Sequence, residues 1–156
     1  MVSADQAESF AILRRQQVET DQMPESRRKL FDGGLVGRLG LNPALARRAL
    51  TPVGDVWVVP GNGYIGLDVG GMSCGRTEVA ARRGIVTWTS LKSGVQDLIH
   101  DLVPDGVEQV TLLAANDAST TVPVSENVYG AVLDGHFRSG RFSGPTGTVE
   151  FGPAAS

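Results

Sequence analysis

Three residues in this chain of 156 could carry nucleophilic chemistry: Cys74, the only cysteine, and His100 and His136, the only histidines. A thiol becomes a nucleophile when a base takes its proton or when a helix N-terminus lowers its pKa. Cys74 lies in Gly70-Gly71-Met72-Ser73-Cys74-Gly75, just ahead of a short helix that Thr77 is expected to cap, so the second condition is within reach. The first condition depends on geometry, because no spacing signature links Cys74 to either histidine. His100 sits in Asp97-Leu98-Ile99-His100-Asp101, where strand alternation turns it away from Ile99 and Asp101. Cys74 with His100 or His136 is therefore the catalytic candidate. The plainer expectation is that Cys74 is a small buried hydrophobe among Met72, Leu67 and Val79. Gly70, Gly71, Ser73 and Cys74 form the candidate ligand or partner surface.

Other chemistries find less support. No CxxC, HxH or HExxH spacing is present, and Cys74, His100 and His136 come from three distant segments, so no metal site is expected. Asp105, Asp117 and Asp134 lack the spacing of a calcium loop and read as turn residues. Gly61-Asn62-Gly63-Tyr64-Ile65-Gly66 matches the dinucleotide fingerprint in letters and follows a strand. The motif works only when a helix N-terminus follows to hold the pyrophosphate. Here Tyr64 to Val69 has strand character, so the glycines read as a hairpin turn and no cofactor is expected.

The elements that must position these residues change in kind along the chain. Ala4 to Arg15 has helical spacing, with Ser3 or Asp5 as its cap. Gln16 to Met23 is polar and irregular. Pro24-Glu25 opens a second helix through Leu30-Phe31, which Gly33-Gly34 ends. Asn42-Pro43 predicts a third helix over Ala44 to Leu50, with Leu45, Ala49 and Leu50 facing a core and Arg47 and Arg48 in water. From Val56 onward the pattern is of strands: Val56–Val59 and Tyr64–Val69 as a hairpin, a helix over Glu78–Arg83, then strands at Ile85–Thr89, Val95–Val103, Val107–Ala114, Ser119–Val124, Val128–Leu133, His136–Phe142 and Thr148–Phe151. Segregated runs of helix and then strand predict an α+β fold, with N-terminal helices packed on a mainly antiparallel sheet. Residues 1–23 are expected as a helical segment or arm, 24–153 as a single α+β domain and 154–156 as a tail.

Composition bounds the function. Twenty glycines with only 6% aromatics favour short strands and tight turns. A net charge of −3 argues against nucleic acid as the partner. The charge is uneven, since residues 1–50 carry eight of the 14 basic residues and only six of the 17 acidic ones. The pairs Arg14-Arg15, Arg27-Arg28 and Arg47-Arg48 are expected as solvated helix faces, or, on a shared face, as a cationic strip for a partner or an anionic membrane. A single cysteine excludes an internal disulfide. No run of about 18 apolar residues and no signal-peptide pattern is present, so a membrane enters only through an anchor ahead of this sequence.

Four segments resemble a group of uncharacterised exported or membrane-anchored actinobacterial proteins: Asn42-Pro43-Ala44-Leu45-Ala46-Arg47-Arg48, Val56-Trp57-Val58-Val59-Pro60-Gly61-Asn62-Gly63, Leu102-Val103-Pro104-Asp105-Gly106-Val107, and Val122-Pro123-Val124 with Glu126-Asn127-Val128-Tyr129. The resemblance spans residues 42–129 and implies an extracytoplasmic domain without naming an activity. Members of that group often carry a second cysteine, whose place here would be Gly66. The leading expectation is thus a non-catalytic extracytoplasmic domain that binds a ligand or a protein partner. Its rivals are a small enzyme using Cys74 with His100 or His136, and a structural or assembly module with an exposed apolar patch or an unpaired edge at the C-terminal hairpin.

Overall fold

The structure, a computed structural model, describes residues 1–153; the expected tail 154–156 lies outside the described residues. It is α+β and mostly β, with 22% helix and 43% strand. Among the described residues eleven strands make three antiparallel sheets where one was expected. The first is a meander of β1 (Arg47–Thr51), β2 (Gly54–Pro60), β3 (Tyr64–Asp68) and β4 (Met72–Arg76). The second has the order β5-β6-β9, from β5 (Ile85–Ser90), β6 (Asp97–Leu102) and β9 (Val128–Leu133). The third has the order β11-β10-β7-β8, from β7 (Gln109–Ala114), β8 (Ser119–Pro123), β10 (Phe137–Gly144) and β11 (Gly147–Phe151). Among the described residues five short α-helices accompany them: α1 (Ala4–Ser9), α2 (Ala11–Arg14), α3 (Glu25–Arg28), α4 (Gly34–Arg38) and α5 (Thr77–Arg83).

Side-chain alternation explains why three sheets stack. In β2, Val56 and Val58 face one way and Trp57 and Val59 the other, and all four are buried. Val56 and Val58 join Ile65 and Leu67 of β3 and meet Ile85, Leu102 and Val128 of the second sheet. The other face of the second sheet presents Ile99, Tyr129 and Leu133 to Val110, Leu112, Phe137, Phe142 and Phe151 of the third. The second sheet is therefore the middle layer, with buried residues on both faces of β6 and β9. Trp57 and Val59 on the outer face of the first sheet are covered by Met23, Phe31, Leu41 and Ala46.

The N-terminal segment enters the core. Of the two caps expected, Ser3 is the one that caps α1, with a reciprocal capping box through Gln6. The helix breaks at Phe10, whose extended backbone turns Phe10, Ile12 and Leu13 into the cluster between the first two sheets. Residues 1–23, expected as a helical segment or arm, are thus tied in by burial. Buried Gln6 adds a clamp, donating from Nε2 to the carbonyls of Gly61 (2.9 Å) and Tyr64 (3.0 Å) and to Thr77 Oγ1 (3.2 Å).

Several expectations need correction. Asn42 does cap a turn, its Oδ1 accepting from the Ala44 amide at 3.0 Å, but that turn is a 3₁₀ piece over Pro43–Leu45. The predicted helix over Ala44–Leu50 is replaced by β1, which pairs Arg47–Thr51 with Gly54–Val58. Helix propensity at Ala44 to Leu50 is worth tenths of a kcal/mol per residue, whereas pairing with the buried strand β2 satisfies a whole ladder. Ala49 is buried as expected, but strand geometry reverses the expectation for Leu50 and Arg47. Leu50 points to solvent at 65% exposure, and Arg47 is buried at 7%, donating to the carbonyls of Leu45 and Arg15. The helical stretch from Glu25 stops at Phe31, ahead of Gly33 at φ 100°, and a separate short helix, α4, starts at Gly34. The segment around Cys74, for which no strand was expected, is largely the strand β4, paired with β3. Thr77 is the first residue of α5, and Arg76 occupies the cap position without a side-chain cap bond.

Four of the six paired arginines, Arg14, Arg15, Arg27 and Arg48, meet a carboxylate. Arg14 pairs with Asp105 (2.6 Å), Arg15 with Asp21 (2.7 Å) and Glu126 (3.1 Å), and Arg48 with Asp55 (2.5 Å). The Asp105 and Glu126 pairs tie the N-terminal segment to the loops before β7 and β9, and the Arg48–Asp55 pair bridges β1 and β2.

Candidate binding cleft

Four antiparallel strands in a meander put the β1–β2 turn and the β3–β4 turn at the same end of the first sheet. That end lies over the row Thr87–His100–Gly130 of the second sheet, where these three residues are direct cross-strand partners. A methyl group built on Gly130 would fall 2.7 Å from Thr51 Oγ1 and 2.8 Å from both Val53 Cγ2 and His100 Cδ2. The β1–β2 turn thus closes one side of His100. On the other side a cleft of about 360 Å³ stays open, lined by Val69 to Ser73, Thr87 to Thr89, Leu98 and His100.

His100 is the floor of this cleft. It is 4% exposed, and its Nε2 has no hydrogen-bond partner. A buried polar atom normally finds one, so an orphan beside an open cleft is an unmet hydrogen-bond valence. Burial pushes the imidazole pKa below the ordinary histidine value, so the ring is neutral at neutral pH, with one nitrogen able to accept and one to donate. No side chain lining the cleft is charged. Hydroxyls come from Ser73, Thr87 and Thr89, apolar surface from Val69 and Leu98.

The upper wall is braced from behind. Asp68, fully buried on β3, accepts from the Gly70 amide at 2.9 Å, and Gly70 takes φ 106° to make the turn. Arg27 Nη1 lies 3.8 Å from Asp68 Oδ2, and the guanidinium stacks 4.8 Å over the ring of Trp57. The glycines Gly70 and Gly71 keep this wall free of side chains.

Of the residues singled out from the sequence, Gly70, Gly71, Ser73 and His100 meet in this cleft; Cys74 and His136 do not. Ser73 pairs with Leu67, whose side chain faces the interior, whereas Cys74 pairs with Gly66 on the outer face. A methyl on Gly66 would meet Met72 Sδ at 2.9 Å and Leu41 Cδ1 at 3.1 Å, both on that outer side. Cys74 is exposed, not buried, and makes no hydrogen bond to either histidine. His136 belongs to the junction of β6 and β10. Its half-exposed ring places Nδ1 3.3 Å from Asp97 Oδ1, while Asp97 also accepts from the Phe137 amide (2.7 Å) and Ser90 Oγ (2.9 Å). Burial raises the Asp97 pKa, but these donors outweigh it and hold the carboxylate low. The catalytic constellation of Cys74 with a histidine is not assembled.

Gly61–Gly63 is a hairpin turn, with Gly63 at φ 74° and the Gly61 amide donating to the Tyr64 carbonyl at 2.8 Å. Asp105 is a structural anchor: it accepts from the Ala11 amide (2.7 Å), Asn127 Nδ2 (2.8 Å) and Arg14 Nη1 (2.6 Å). Among the described residues no three His, Cys, Asp or Glu side chains are grouped to hold a metal. No helix among them is long and apolar enough to cross a membrane. A larger hollow, about 540 Å³, lies on the outer face of the third sheet around Gln109, Thr111, Arg141 and Thr148. Its polar groups are open to water and leave no buried valence unmet.

Thr87, Thr89 and Leu98 were missed as cleft residues in reading the sequence. They were legible as strand residues, but which face of β5 and β6 stays open depends on where the first sheet ends. Comparison with protein-family models, curated proteins and solved structures returns no match.

Proposed function

We propose that this chain is a non-catalytic binding domain whose recognition site is the cleft between the β3–β4 turn and β5–β6. The observation that carries this is His100: nearly buried, without a partner for Nε2, and set at the floor of an uncharged, concave site. A neutral imidazole and three hydroxyls can orient a ligand, while no activated nucleophile stands nearby. The placement of Cys74 on the opposite face of β4 favours binding over the rival enzyme reading. The resemblance of residues 42–129 to exported actinobacterial proteins supports an extracytoplasmic setting with a ligand or protein partner.

A fragment screen by NMR on the ¹⁵N-labelled protein tests this. Neutral, hydroxyl- or amide-bearing fragments are expected to shift the amides of Gly70–Ser73, Thr87–Thr89 and Leu98–His100 together. Shifts confined to the outer face of the third sheet, or none at all, would sink the proposal.

A further inference from the structure

The cleft lies between two sheet edges. β4 bonds only to β3 and β5 only to β6, and among the described residues no backbone hydrogen bond links β4 to β5. The two strands converge beside α5, where a methyl on Gly75 would sit 3.6 Å from Ile85 Cγ1. They diverge toward Met72–Ser73 on one side and Thr87–Thr89 on the other, and the cleft fills the gap. An unpaired edge offers a row of backbone donors and acceptors to any extended chain. Resting on the binding function proposed above, we infer that this gap receives an extended, uncharged peptide strand, which adds to the free edge of β5 and lies against β4.

Three features select that occupant. The free edge of β5 presents backbone groups at the strand repeat of about 3.3 Å per residue, which only another extended backbone matches over several residues. The walls carry no charge, so a charged side chain would lose water there without a partner. The peptide's alternate side chains would face the row of Thr87 and His100. There a hydroxyl or carboxamide can donate or accept, and so meets either tautomer of the neutral ring. Gly70 and Gly71 leave room above the strand.

The test is selection followed by dissection. A phage-displayed random heptapeptide library is panned on the full chain, and the leading peptide is synthesised with and without N-methylation of alternate backbone amides. Uncharged sequences rich in Ser, Thr, Asn and β-branched residues are expected, shifting the amides of Met72–Ser73 and Thr87–Thr89. N-methylation on the bonding edge is expected to weaken binding at least tenfold, as is Thr89→Lys, an exposed change that places a charge at the mouth. Arg141→Ala, on the third sheet, leaves binding unchanged. If neutral fragments bind the cleft but no selected peptide does, or if N-methylation makes no difference, the strand inference fails and the binding function stands. If neither peptides nor fragments shift cleft amides, both fail. Should Thr89→Lys not fold, the methylated peptides decide alone.

Discussion

Asp101 on β6 and Tyr129 on β9 are direct cross-strand partners, both buried, with the Tyr129 hydroxyl donating to Asp101 Oδ2 at 2.9 Å. They lie on the face of the second sheet that meets the third, turned away from the His100 cleft. Burial drives the Asp101 pKa well above the ordinary carboxylate value, against the smaller opposing effect of the Tyr129 hydrogen bond. The Tyr129 phenol is likewise raised, by burial and by the carboxyl beside it. The folded protein therefore keeps a proton on Asp101 at a pH where the unfolded chain has released it.

That pair predicts a pH dependence with a definite sign. A raised folded-state pKa contributes stability that is fully present below the unfolded value near 3.8 and is lost as pH rises through the folded value. While one proton separates the two states, the loss is about 1.4 kcal/mol per pH unit. Asp101→Asn keeps the shape and the Tyr129 contact but cannot ionise. Urea unfolding of both proteins from pH 4 upward should show the variant gaining on the wild type as pH rises. Parallel curves would refute it.

Asp21 predicts the opposite behaviour in a lower window. Burial pushes its pKa up, but the Arg15 guanidinium and the amides of Arg48 and Val18 outweigh this and hold it at about 2, below the usual 3.8. Its contribution is present above 3.8 and is lost as pH falls toward about 2, amounting to about 2 kcal/mol. Asp21→Asn should abolish that acid sensitivity and lower stability at neutral pH by roughly 2–4 kcal/mol, because Arg15 loses its two-pronged partner. Denaturant midpoints at pH 7 and pH 3 check both statements.

Cys74 should react as an open surface thiol. It is exposed on the outer face of β4, so a maleimide should label it stoichiometrically in the folded state. Cys74→Ser should leave the thermal midpoint unchanged, and labelled protein should still bind at the cleft. Ser73→Trp, one residue away but facing the cleft, should block binding. If labelling Cys74 blocked the cleft as fully as Ser73→Trp, the assignment of faces would be wrong.

Gly130 should control the position of His100. A methyl there meets Thr51, Val53 and the imidazole at once, each closer than 3.0 Å. Gly130→Ala should therefore cost about 1–3 kcal/mol by overpacking and displace the ring into the cleft. The readout is a loss of ligand shifts at Thr87–Thr89 in a protein that still unfolds cooperatively.

Much of the strand order along the chain was legible. The Val56–Asp68 hairpin, the hairpin around Gly147 and the Ser3 capping box rest on local chemistry: turn glycines, alternating apolar residues and a side chain within reach of its own backbone. Local chemistry also showed that Tyr64–Asp68 could not be the helix a dinucleotide loop needs. Arg47–Thr51 was misread because its helix formers compete with a partner strand that no local window contains. Likewise nothing near Phe10 says that α1 breaks there; the cavity it fills is made largely by residues far along the chain, from Ala49 to Val128.

The amino-acid order by itself determined most of the strands from Val56 onward, where most of them turn, and that Cys74, His100 and His136 are the groups with nucleophilic or basic chemistry. The tertiary structure alone decided what those residues face. Strand pairing with period two sends Ser73 into the cleft and Cys74 out of it. The length of the first sheet, set by where its two turns fall over the second, leaves His100 buried yet beside open space. Side-chain environment depends on pairing and layering, and those are contacts between residues far apart in the chain.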